Sequence, residues 1–428
     1  MMSSDCSDIA SLSALPPGGH RAVARCDALG VAPYSEEKDQ LFRPYLSASY
    51  RATCDCIAGW MQSAGMKTRI DAAGNLVGRY EGLTPDAPAL LIGSHIDSVR
   101  DGGRYDGMLG VLMGVELVAH YAAQGRRFPF ALEVIGFGDE EGSRFPAAML
   151  TSRAVAGLLK EVPADMQDAA GISLQDALAA EGLALERMPE AVRKPEEILA
   201  YLEAHIEQGP VLEAENRAVG VVTAIAAQYR FRVRMKGVAG HAGTMPMTLR
   251  QDALAAAAEA VLAIEKIGQS GPSDLVATVG QLTVVPGVAN VVPGEVVFSI
   301  DVRAGDAAVR NAATAEIRTA LEALAARRKV TLEISLQQDL PATPCDAALT
   351  DMLSEAAQSV TGTVPRRMVS GAGHDAMIVA ALAPVCMLFI RCEGGISHNP
   401  AEAVNPSDVE QAFQIMPRFI EDFAGRRP

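Results

Sequence analysis

Apolar residues along the chain fall into two textures, and each texture implies its own architecture. Residues 89–93, 130–138 and 383–391 are compact apolar runs of strand length, dense enough to be buried on both faces. Between the first two, residues 107–121 are apolar nearly throughout and read as a buried helix. Residues 47–64 space Tyr50, Ile57, Trp60 and Met61 near the helical period and stop at Gly65, and residues 406–423 read as a closing helix. Short strand-like runs occupy 67–70 and 75–80. Strands alternating with helices predict an α/β domain around a mixed, mostly parallel sheet.

The texture changes near Gly220. Residues 229–235 alternate polar with apolar side chains, as a sheet with one wet face requires. A helix over 249–267, strands over 276–284 and 295–302, a helix over 307–328 and a strand over 330–336 follow. That order, strand, helix, strand, strand, helix, strand, is the ferredoxin-like α+β pattern. Residues 341–344 return the chain to the first texture. The expected organisation is therefore a catalytic domain in two parts, 1–222 and 338–428, with a smaller domain, 223–337, inserted between them.

Composition narrows the class. Of 428 residues, 49% are hydrophobic and 21% charged, as in ordinary globular chains. A formal charge of −15 with no basic face disfavours nucleic acid, and no apolar run approaches the roughly 20 residues that span a bilayer. The first thirty residues lack a basic stretch followed by an apolar one and contain Pro16-Pro17-Gly18-Gly19, which reads as a loose leader or arm. Seven scattered cysteines argue against a disulfide scaffold and for a cytoplasmic protein. Cys54 and Cys56 have no second pair to complete a metal site and read as helix residues.

Chemistry concentrates where α/β sheets place it, beyond strand carboxyl ends. His95 and Asp97 follow the run 89–93, Asp106 lies in the glycine-rich loop 102–107, and Asp139-Glu140-Glu141 follows the run 130–138. His205, Glu207 and Gln208 precede the insertion, and His398 follows the last apolar run. Imidazoles with carboxylates suit divalent ions such as zinc, and a carboxylate between two ions can bridge them. Asp97 stands where its carboxylate could accept the second N–H of His95. Adjacent Glu140 and Glu141 should point apart, one to metal and one to protons. His20 and His120 read as surface or packed residues. Gly102, Gly103 and Gly107 carry no phosphate-binding fingerprint and read as backbone shapers beside Asp106.

Six segments, 93–98, 102–107, 140–145, 205–210, 240–244 and 396–400, match in order a family the chain resembles from about Cys26 onward. It is the dinuclear metallo-amidohydrolases and peptidases that include aminoacylases, N-carbamoyl-L-amino-acid hydrolases and allantoate amidohydrolases. The resemblance implies two divalent ions per subunit, Zn2+ or Mn2+. Asp106 would bridge them, with His95 and His205 completing one site and Glu141 and His398 the other. Glu140 would be the general base, with Asp97 supporting His95. The inserted domain would act as a lid and form a homodimer, bringing His241 to the partner's active site. Asn290 and Arg303, and more weakly Gln208 and Arg230, would hold a substrate carboxylate, although Arg303 taken alone reads equally well as a surface ion pair. His205 followed by Glu-Gln-Gly resembles the ureido-cleaving branch. The implied substrate is a small ureido carboxylate, allantoate first and an N-carbamoyl-L-amino acid second. A dipeptidase or aminoacylase and a non-catalytic homologue are weaker readings.

Overall fold

A computed structural model describes residues 12, 15–159 and 165–426, and it divides into two compact units. The larger comprises Met1–Thr223, Cys345–Met368 and His374–Pro428; the smaller comprises Ala224–Pro344 and Val369–Gly373.

In the larger unit the sheet runs Lys67–Ile70, Leu76–Tyr80, Ala131–Phe137, Ala89–His95, Ile198–Ile206, Val385–Ile390, Val219–Ile225. The four strands from Ala131–Phe137 to Val385–Ile390 are mutually parallel, and their flanks are antiparallel. The fold is thus mixed α/β about a largely parallel centre. Both Ala89–His95 and Ala131–Phe137 are buried along their whole length, which is why they read as unbroken apolar runs. The helix Met108–Ala123 packs on them; a Cβ on Gly110 would stand 2.2 Å from the Ala204 carbonyl oxygen, and one on Gly114 would press on Val134 and Ile92 at 3.1 and 3.2 Å. Ser47 caps Ala48–Ser63 by accepting from the Tyr50 amide, and Asn405 caps Pro406–Gly425. Cys54 is buried in that first helix.

The N-terminal expectation needs correcting. Residues Gly19–Leu29 form a helix that buries Ala22, Val23, Cys26 and Leu29, so this stretch is no loose arm. Its anchor is Glu116, wholly buried, which accepts from Arg21 Nε at 2.7 Å and Arg25 Nη1 at 2.5 Å. Residues 1–11 lie outside the described residues. Among the elements not expected from the sequence are the strands Ile198–Ile206 and Val219–Ile225 and the helix Ala347–Thr361.

In the smaller unit Ala227–Lys236, Leu282–Val285, Glu295–Ala304 and Thr331–Leu340 form an antiparallel sheet in the order Leu282–Val285, Glu295–Ala304, Ala227–Lys236, Thr331–Leu340. Val276–Thr278 pairs with Glu295–Ala304, so the strand expected over 276–284 is two pieces broken around Gly280. The helix expected from residue 249 starts at Ala253, because the Asp252 carboxylate accepts from the Leu254 and Ala255 amides. Phe231, Val233, Met235, Phe298 and Ile300 build the core with Ala253–Ser270 and Ala307–Arg328. The other sheet face carries Arg230, Arg232, Asp301 and Arg303. Among the described residues no helix is long and apolar enough to cross a membrane.

Candidate metal centre

The carboxyl ends of the four parallel strands gather the acids and imidazoles of the larger unit. His95 closes its strand, Glu140 and Glu141 follow Ala131–Phe137, His205 sits one residue from the end of Ile198–Ile206, and His398 follows Val385–Ile390. Asp106 reaches the same point from the loop before Met108–Ala123. Its Oδ1 lies 3.2 Å from His205 Nε2 and 3.7 Å from His95 Nε2, and its Oδ2 lies 3.2 Å from His398 Nε2. His398 Nε2 is also 3.4 Å from Glu141 Oε1. Among the described residues four ligand groups result: His95, Asp106 and His205; Asp106, Glu141 and His398; His95, Glu140 and Glu141; and Glu203, His205 and His374. Asp106 is common to the first two.

Two donor atoms here lack hydrogen bonds: Asp106 Oδ1 and His205 Nε2, both buried and facing each other. His205 Nδ1 donates to the Ile206 carbonyl at 2.9 Å, which turns Nε2 toward Asp106. His95 repeats the arrangement, with Nδ1 3.0 Å from the Asp97 carbonyl. Imidazole with carboxylate is the donor set of a borderline divalent ion, and a cation between His205 Nε2 and Asp106 Oδ1 would satisfy both atoms. The residues fit the ions the sequence implies.

Electrostatics agree. Burial would lower the His95 pKa, but Asp106, Glu140 and Asp97 together hold it well above its ordinary value. His398 is pushed up to about 9, chiefly by its bond to Asp106. Burial raises Glu140 well above the usual carboxylate range, with Glu141 adding and His95 opposing, and burial raises Glu141 to about 7. Excess negative potential in a dry site is what a bound dication would neutralise.

Two sequence arguments fail in detail. The Asp97 carboxylate does not take the His95 N–H: its Oδ1 is 3.7 Å away, whereas the backbone carbonyl of the same residue takes it. The carboxylate instead accepts the amides of Glu140 and Glu141, each at 3.2 Å, and so sets the loop that carries both glutamates. Nor do those glutamates point apart. Both come within 4.8 Å of His95, because Asp139 turns the chain at φ 59° and strand alternation ends there.

Other contributors escaped the sequence reading. Glu402 Oε1 accepts from the amides of Tyr105 and Asp106 at 2.9 and 3.1 Å, and its Oε2 meets Ser397 Oγ, which also reaches Asp106 Oδ2, each at 2.9 Å. A Cβ on Gly103 would stand 2.0 Å from Glu402 Cδ, so that glycine makes room for the buttress. Gln208, which the resemblance had assigned to the substrate carboxylate, donates to Asp106 Oδ2 at 2.9 Å. His374 packs its ring on His205, centroids 4.4 Å apart, and Glu203 is held by Ser94 Oγ and the Ala376 amide.

The smaller unit groups its candidates in two places. His241 and Val291 are paired across a short two-stranded sheet, with the Ala242 amide on the Asn290 carbonyl. His241 is exposed, and its Nδ1 accepts from the Gly243 amide at 3.1 Å, so Nε2 carries a proton to donate. Arg230 and Arg303 both bond to Asp301.

A sequence profile of the peptidase family M20/M25/M40 matches residues 91–422. The chain is 38% identical over 430 residues to an allantoate deiminase of Arabidopsis thaliana, covering 94% of this chain and 81% of that one. It is 41% identical over 370 residues to an N-carbamoyl-L-amino acid amidohydrolase of Geobacillus stearothermophilus, covering 86% and 90%. A crystal structure of a hydantoinase/carbamoylase family amidase from Burkholderia multivorans superposes with a TM-score of 0.86 at 33% identity, covering 96% and 99%. With a match over most of its length in sequence and in fold, the chain belongs to the peptidase family M20/M25/M40.

Proposed function

We propose that this protein is a metal-dependent amidohydrolase that cleaves a ureido C–N bond of a small carboxylate, with allantoate as first substrate. The observation that carries the reading is the buried pair Asp106 Oδ1 and His205 Nε2, held face to face without hydrogen bonds among further imidazoles and acids. The substrate class draws support from relatives named for allantoate and for N-carbamoyl-L-amino acids. An N-carbamoyl-L-amino acid is the second reading, favoured by the 41% identity to the Geobacillus stearothermophilus protein.

In the proposed assignment His95, Asp106 and His205 hold one divalent ion and Asp106, Glu141 and His398 the other, Zn2+ or Mn2+. Such ions acidify water and polarise a carbonyl. Glu140 takes a proton from the attacking water, whose oxygen bonds to the ureido carbon. As the C–N bond breaks, Glu140 delivers that proton to the departing nitrogen. Asp97 keeps Glu140 and Glu141 in place through their amides. His241, with its Nε2–H free, donates to the developing oxyanion, supplied by a partner subunit in a homodimer built on the smaller unit. Arg303 and Asn290 bind the carboxylate, assisted by Arg230 and Gln208.

The test is a substrate panel of allantoate, N-carbamoyl-L-amino acids and dipeptides on metal-loaded protein, with Glu140→Gln alongside. Turnover confined to ureides, lowered about 10²-fold or more by the substitution while metal content holds, is expected. Dipeptide turnover alone, or an undiminished variant, contradicts the reading.

A further inference from the structure

The open face of the smaller unit's sheet lines a groove of about 900 Å3 that includes Arg230, Arg303, Asp301, Ser299, Thr278 and Gly371. Within it, two cross-strand pairs, Asp301 with Arg230 and Arg303 with Gln228, form a block of four side chains on one face. Asp301 is its centre. Its Oδ1 accepts from Arg303 Nε at 2.8 Å. Its Oδ2 accepts from Arg303 Nη2 at 3.1 Å, Arg230 Nε at 2.8 Å and Gln228 Nε2 at 2.6 Å. The far side of Arg303 is held too, because Nη1 donates to the Gly371 carbonyl at 2.6 Å.

Counting donors shows what remains. A guanidinium has five N–H groups in a rigid plane. In Arg303 three are spent: Nε–H and one on Nη2 with Asp301, one on Nη1 with Gly371. One N–H is left on each terminal nitrogen, and a carboxylate approaching the outer edge of the guanidinium, away from the Nε side that Asp301 occupies, is the anion it can receive. Arg230, by contrast, is hydrogen-bonded among the described residues at Nε alone and stays half exposed.

We propose that Asp301 is a positioning residue for substrate recognition: it clamps the Arg303 guanidinium so that its outer edge is permanently presented to the substrate carboxylate. The proposal rests on the ureido-carboxylate reading above. Without Asp301, Arg303 would retain its charge but lose two of its three anchors, and the ordering of a long side chain would fall due at each binding event. Charge alone would still attract the anion; the fixed geometry would be gone. Asp301 itself is held ionised, its pKa lowered because the bonds to Arg303 and Arg230 outweigh partial burial.

The experiment compares metal-loaded wild type with Asp301→Asn, Arg303→Met and the double variant on N-carbamoylglycine and on its neutral carboxamide. Asp301→Asn should raise KM for the carboxylate about tenfold or more, change kcat by no more than about threefold, and leave the carboxamide unaffected. Added to Arg303→Met it should do nothing further. Equal losses on both substrates, or an additive effect in the double variant, would reduce Asp301 to a sheet ion pair and overturn the proposal. If neither ureide is turned over, the reaction reading fails by itself, and calorimetric titration with N-carbamoylglycine decides the positioning claim. Binding about tenfold weaker in Asp301→Asn sustains it; equal binding, or none by wild type, sinks it.

Discussion

Removing the Glu402 carboxylate isolates the support of Asp106 from the ligands themselves. In Glu402→Ala the amides of Tyr105 and Asp106 lose their acceptor, and Ser397 Oγ loses one of its two partners. Glu402 is 5% exposed, so water replaces it poorly. At about 1–3 kcal/mol for each buried donor left unpaired, the two amides alone amount to roughly 2–6 kcal/mol. The loop bearing Asp106 should relax, and loss of such outer support typically weakens metal binding 10- to 100-fold. Glu402→Gln is the informative partner. It keeps the shape of the side chain and an oxygen that can accept, so it separates loss of charge from loss of the acceptor. Its amide oxygen can accept both backbone N–H groups while its NH2 faces Ser397. The assay pairs chelator competition for Zn2+ with urea unfolding. Glu402→Ala should lose at least tenfold in affinity and about 2 kcal/mol or more in stability, whereas Glu402→Gln should stay within about 1 kcal/mol of wild type. An unaffected alanine variant, or a glutamine variant as damaged as alanine, refutes the reasoning.

Gly107→Ala combines a left-handed backbone, φ 66°, with a Cβ 2.4 Å from the His95 ring. The backbone costs about 1–2 kcal/mol and the ring must move, so lower metal content at equal total metal is expected, read by elemental analysis. Asp301, whose pKa lies below its ordinary 3.8, should stabilise the fold above about pH 4 and lose that contribution as pH falls through its folded value. Wild type and Asp301→Asn should therefore differ in unfolding free energy at pH 7 and converge in acid; a constant difference would contradict the linkage.

The central parallel strands were legible because burial on both faces leaves unbroken apolar runs, as in residues 89–93 and 130–138. Ile198–Ile206 hid because Glu203 and His205 interrupt its run, both buried for reasons that lie elsewhere in the chain, on Ser94, Ala376 and Asp106. The N-terminal helix was missed for the same kind of reason: Arg21 and Arg25 look solvated until Glu116, about ninety residues on, supplies their partner. Among site residues, those at strand ends beside glycines could be found from residue type and position. Glu402 could not, since its role depends on the space above Gly103 and on two amides nearly three hundred residues away. The failed argument for Glu140 and Glu141 shows the limit of periodicity, which ceases to apply once a residue such as Asp139 takes a positive φ.

The account stands or falls on whether these acids and imidazoles cage two cations. Chelator-stripped protein titrated with Zn2+ or Mn2+ in a calorimeter, with ureide turnover followed in the same samples, tests it directly. Two ions bound per chain, with allantoate or N-carbamoyl amino acid hydrolysis returning as they bind, is the predicted result. No ion bound, or full ureide turnover by the stripped protein, would contradict it.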